Sequence, residues 1–313
     1  MEKRHNYIKE NLKSFLAFYL NAILSLGLVL MLSTQLDAAV SGYTFSQSTG
    51  TYTPITGGTL VATATGASGA ASLDDITYNV ANGTIPFSFT FDGIAYTGLN
   101  INTNGHITFG TTAPSSSNYS PISGTQTYAG AISAFGGDLN SLYNISGNTG
   151  SIRYETLGSS PNQEFVIQFS NFRPYSTSTS TTIYWKWNFQ IRLKEADNSI
   201  DIVYDAGFLG SPTSTTRQVG LRGATNAFPA NINNRLITTG THTWNTSANG
   251  TANSSSVAVI TTNVPVSGKT FTWAPPTPCL GTPAPGNTLA SASPVCSASN
   301  FTLSLEYSTT GTG

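Results

Sequence analysis

Side chains able to do chemistry are few in this chain, and they lie far apart. His5 stands near the start, His106 follows the pair Asn104-Gly105, and His242 sits between Thr241 and Thr243. Zinc sites draw on closely spaced His and Cys ligands, so this spacing points away from zinc. Serine is abundant, yet no Gly-x-Ser-x-Gly elbow is present, and a serine triad would have to recruit one of these isolated histidines. Cys279 and Cys296 are the only cysteines and lie in the last stretch, which excludes a thiol nucleophile from the main part. Glycoside hydrolysis needs only two carboxylates, and Asp74, Asp75, Asp92, Asp138, Glu155, Glu164, Glu195, Asp197, Asp201 and Asp205 are available. Most of these occupy turns or the polar phase of a strand, where an acid is expected without catalysis.

Two binding chemistries fit the residue types better. The segment Gly136 to Asn148 places Asp138, Asn140 and Asn144 on a Gly-rich loop, and Asp74-Asp75 could add charge. Carboxylate, amide and backbone oxygens on such a loop can converge on calcium, which tolerates irregular geometry. The alternating acids of an EF-hand are absent, and the same residues also serve as ordinary turn formers. Sugar binding would instead use exposed aromatic rings. Trp185 and Trp187 share the core-facing phase of one strand and Trp273 lies in the closing strand, which leaves Trp244, Tyr119, Tyr128 and Tyr175 as candidate contacts.

The elements that must position these residues are strands. Ile183, Trp185, Trp187, Phe189, Ile191 and Leu193 alternate with Lys186, Asn188, Gln190 and Arg192, so one face is buried and the other wet. Glu195 to Asn198 then turns the chain into Ile200, Ile202 and Tyr204, completing a hairpin. Ile85 to Phe109 reads as a continuous meander with turns at Asp92-Gly93 and Asn104-Gly105, pairs that accept positive φ. Further strands are predicted at Ala131 to Phe135, Ser151 to Tyr154, Phe165 to Phe169, Val219 to Arg222, Val257 to Thr262 and Thr270 to Trp273. The fold class is therefore all-β, an antiparallel β-sandwich or jelly roll, following an N-terminal signal helix.

That leader carries Lys3, Arg4, Lys9 and Lys13 ahead of the uncharged run Phe15 to Leu32, with Ala38-Ala39 offering a cleavage site. The alternative is an uncleaved anchor, because the run approaches the roughly 20 residues of a membrane helix. Residues 1–39 are read as signal peptide and 40–274 as the sandwich. Residues 275–286 form a Pro-rich linker, since five prolines between Pro275 and Pro285 forbid regular pairing. Residues 287–313 are too short for a whole domain, and an oxidising compartment would let Cys279 and Cys296 form a disulfide. Of 13 Lys and Arg and 14 Asp and Glu, Lys3, Arg4, Lys9, Lys13, Glu2, Glu10 and Asp37 lie in the leader. The near-neutral remainder offers no basic face for nucleic acid and no electrostatic hold on a membrane surface.

Taken in order, the stretches Tyr43 to Thr59, Ile85 to Gly110, AISAFGGDLN, PNQEFVIQFSNF, WNFQIRLKEADNSIDIVYD and FTWAPP resemble the large secreted β-domain of Bacteroidetes surface proteins. The tail from Cys279 to Leu305 resembles the truncated start of an Ig-like domain that follows it there, and parts of the pattern are similar to nidogen-like extracellular domains. The resemblance implies a secreted or cell-surface protein exported by type IX secretion, and it supplies no catalytic residues. The reading is a non-enzymatic surface module for adhesion or extracellular structure, partnered by an extracellular glycan or surface protein and touching a membrane only through its leader. Calcium is the one candidate cofactor. The alternatives are a carbohydrate-binding module of a larger secreted enzyme, expected to show a loop cluster with two or more exposed aromatics, and a glycoside hydrolase-like enzyme.

Overall fold

A computed structural model describes residues 39–276, 288–290 and 303–305. The predicted leader, Cys279 and Cys296 lie outside the described residues. Two antiparallel sheets make a sandwich. In the first, neighbouring strands are Thr44–Thr49, Lys269–Ala274, Ile200–Leu209, Tyr184–Lys194, Glu164–Pro174, Ser151–Leu157 and Thr59–Thr63, and Leu139–Ser141 pairs with the far end of Glu164–Pro174. The second runs Ala248–Asn249, Ile232–Leu236, Thr215–Arg222, Gly130–Gly136, His106–Phe109, Leu99–Asn102 and Thr77–Val80, with Val257–Val259 also against Thr215–Arg222. Separately, Thr288–Ala290 pairs antiparallel with Leu303–Leu305.

The alternating strand forms as its pattern requires. Trp187, Phe189, Ile191 and Leu193 have no exposed surface, and register pairs Leu193 with Ile200 across the expected hairpin. Phe135 from the second sheet reaches across to them, its ring centred 4.5 Å from Trp187 and 4.9 Å from Tyr204. The Tyr204 hydroxyl donates to the Ala134 carbonyl at 3.0 Å, so even the polar end of this buried ring is satisfied between the sheets. Burial of this aromatic layer is the main force holding the sandwich closed.

Three details depart from the sequence reading. Ile183 precedes the strand and is 53% exposed. Gln190, expected on the wet face, is buried because the segment around Thr53 to Ile55 crosses that face. The Gln190 amide donates to the Thr53 carbonyl at 2.9 Å, and Gln168 both accepts from and donates to the Ile55 backbone. The meander is also broken. Phe89–Phe91 and Ile94–Tyr96 form their own two-stranded sheet around Asp92-Gly93, both at positive φ, whereas Leu99–Asn102 and His106–Phe109 belong to the second large sheet. Gly105 is required in that second turn, since its φ is +81° and a Cβ there would lie 2.8 Å from the Phe135 carbonyl oxygen.

Candidate functional site

The turn at Asn104-Gly105 does more than reverse the chain, because it organises an acidic cluster. Asn104 donates its backbone N–H to Asn102 Oδ1, and its side-chain amide donates to Asp75 Oδ1 at 3.0 Å and to the Ser116 carbonyl at 2.8 Å. Its side-chain oxygen accepts from the Leu139 backbone N–H. One side chain thus ties the loop of Asp75 to the loop that carries Asp138. A short 3-10 turn, Gly69–Ser72, delivers Asp74 and Asp75, and the chain passes through left-handed φ at both Leu73 and Asp75 to do so. The carboxylates of Asp74, Asp75 and Asp138 come together, with one oxygen from each lying within 4.8 Å of the others.

Electrostatics make this cluster uncomfortable without a counter-charge. Burial, then the charges of Asp75 and Asp138, push the Asp74 carboxyl from 3.8 up to about 6. Asp138 is raised by burial and by Asp75, against the pull of Arg217. Its Oδ1 atom is buried and accepts no hydrogen bond, which is costly for a carboxylate oxygen. The Tyr119 hydroxyl donates to Asp75 Oδ2 at 2.7 Å and closes one side. Hard oxygen donors grouped on loops are what calcium takes as ligands.

The residues expected to bind calcium separate. Asp138 joins the cluster, but Asn140 is fully buried and committed. Its amide donates to the Ser72 hydroxyl and the Ser176 carbonyl, and its oxygen accepts from Arg173 Nε and the Ser176 N–H. Asn144 sits at φ +55° in a different turn, its N–H given to Thr149. The partners of Asp138 are instead Asp74 and Asp75, which the sequence reading had only as added charge.

The candidate sugar contacts divide as well. Trp244 is 2% exposed and packs between Phe135, Tyr204 and Phe271, so it belongs to the core and offers no surface ring. Tyr128 is also buried: it hydrogen-bonds the Pro121 carbonyl, and the Arg222 guanidinium lies over its ring at 4.4 Å. Loop position misled here because both loops fold inward. Tyr119 and Tyr175 are exposed. Tyr175 lines a cleft of about 420 Å³ together with Tyr184 and Trp185. Tyr184 escaped the sequence reading, although its phase on the strand, opposite Trp185 and Trp187, was the available signal.

His106 is fully enclosed, with burial lowering it to about 4, so it is neutral and fixed near the Asn104 carbonyl and Asn118. None of the three clefts described among these residues is lined by Asp, Glu or His. Comparison with protein families matches residues 42–275 to the one described as NIDO related. Comparisons with curated proteins and with solved structures find no match.

Proposed function

Since the chain belongs to the NIDO-related family of nidogen-like extracellular domains, we propose that it works as a non-enzymatic β-sandwich module in adhesion or extracellular structure. The observation that supports this reading is the separation of the clustered acids from the three clefts described among these residues. Hydrolysis of a glycoside requires a carboxylate pair facing bound substrate, whereas the clustered Asp74, Asp75 and Asp138 line none of the three clefts. Calcium belongs to the same proposal as a loop-stabilising ion held by those three residues, with the unpartnered Asp138 Oδ1 as its second support. Export by type IX secretion and kinship with Bacteroidetes surface proteins complete the reading.

Beads coated with the purified full chain, passed over surfaces of extracellular glycoprotein, test it alongside incubation with a panel of chromogenic glycosides. Retention above albumin-coated beads with no glycoside turnover is expected. Turnover that disappears in Asp74→Asn or Asp138→Asn, with folding intact, would replace the module by an enzyme.

A further inference from the structure

The cleft beside Tyr175 carries the reading one step deeper. Its rim is the segment Ser176 to Thr182, composed wholly of Ser and Thr. That segment is held by Arg173, which is 4% exposed and donates from Nη1 to the Ser178 carbonyl at 2.8 Å and from Nη2 to the Ser176 carbonyl. Arg173 also lines the cleft, but its guanidinium is committed to these carbonyls and to Asn140 Oδ1. Along the rim each second hydroxyl oxygen accepts a backbone N–H: Ser178 gives its N–H to Ser176 Oγ, Ser180 to Ser178 Oγ, and Thr182 to Ser180 Oγ. Those bonds use the oxygens as acceptors, so the Ser176 and Ser178 hydroxyl protons stay available to a ligand. The result is a short row of donors fixed in place before anything binds, which lowers the entropic cost of recognition.

Aromatic rings line the same cleft. Tyr175 is 46% exposed and Tyr184 is half-buried. Neither packs against another ring among the described residues. Trp185 backs the cleft, 5% exposed, with its indole N–H donated to the Thr213 carbonyl at 2.9 Å. The other two clefts lack this combination. Tyr96 in one stacks on Phe109 at 4.8 Å, and Tyr43 in the other is 4% exposed. Free ring faces beside uncharged hydroxyl donors suit a ligand with an apolar face edged by hydroxyl groups.

We propose that this cleft binds a neutral saccharide, stacking on Tyr175 and Tyr184 and hydrogen-bonding the serine rim. The proposal rests on the adhesive-module reading and names its ligand. The full chain should be applied to an array of neutral oligosaccharides, acidic oligosaccharides and proline-rich peptides, then titrated with the best neutral binder. Tyr175→Ala is expected to weaken that binder about tenfold, Tyr175→Phe to keep it near wild type, and both to leave the unfolding midpoint unchanged. Absence of any neutral saccharide signal, binding indifferent to both Tyr175→Ala and Tyr184→Ala, or capture of the peptides or acidic glycans alone would overturn it. Bead retention measured on the same variants separates the two levels: a chain that still adheres without saccharide binding loses only this inference, and one that does neither loses the module reading too.

Discussion

The interior around Phe135 and the loop end around Asp138 are reached by residues three apart in the chain yet differ in kind. Around Phe135 every large ring is enclosed and uncharged, the Tyr204 hydroxyl is answered, and the indole N–H groups of Trp187 and Trp244 are left without acceptors. Around Asp138 like charges converge, a buried oxygen lacks a donor and tyrosine rings face solvent. Folding free energy comes from the first region and is partly given up in the second. Convergence of like charges beside exposed rings is the kind of local inconsistency where binding is to be sought.

The contrast can be broken most forcefully from the inside. Trp187→Ala removes a ring with no exposed surface and is expected to lower stability by about 3 to 5 kcal/mol. Chemical denaturation would read it, and a loss under 1 kcal/mol would mean that the aromatic layer is not the structural centre.

At the loop end the sign reverses, because ligand adds stability there. Calcium at a hundredfold excess over its dissociation constant should raise stability by about 2.7 kcal/mol, with Asp138→Asn abolishing the shift in thermal scans. The ion-free chain should show the complementary pH effect. Asp74 titrates near 6 when folded and at 3.8 ordinarily, so the folded state holds the extra proton between those values. The Asp74 contribution to stability must therefore fall as pH rises through that window and level off above it, opposed by His106, whose lowered value gives a contribution that grows as pH rises from about 4 toward 6.5. Asp74→Asn should remove the falling component and tilt the profile upward relative to wild type, and a profile unchanged by that substitution would remove the electrostatic account.

The smallest effect sharpens the comparison. Tyr204→Phe deletes one hydroxyl and leaves the Ala134 carbonyl without that partner, a loss of about 1 kcal/mol by equilibrium unfolding. A neutral outcome would show that the interior tolerates an orphaned acceptor as the acidic loops do.

Much of the first region could be read from sequence, because Trp185 to Leu193 alternates without exception and such a run can pack only one way. The edge strands Thr44–Thr49, Thr59–Thr63 and Thr77–Val80 could not, since the first carries Thr or Ser on both faces, the second sets three apolar residues in a row, and the third spans only four residues. Site residues obeyed the same limit. Asp138 stood out within its Gly-rich loop, but its meeting with Asp74 and Asp75 is made by Asn104, whose hydrogen bonds no spacing rule encodes. Trp244 and Tyr128 failed as surface contacts because the burial of a loop aromatic depends on which way the loop closes.

The Tyr175 N–H donates to the Asp138 carbonyl at 3.0 Å and Asn140 bonds both Arg173 and Ser176, so the acidic loop is joined directly to the wall of the cleft. Linkage between two occupants of one protein is reciprocal. Whatever a cation adds to the grip on sugar, sugar must add to the grip on the cation, so under these proposals the apparent affinity for sugar would follow the calcium around the protein, and that for calcium would follow the sugar.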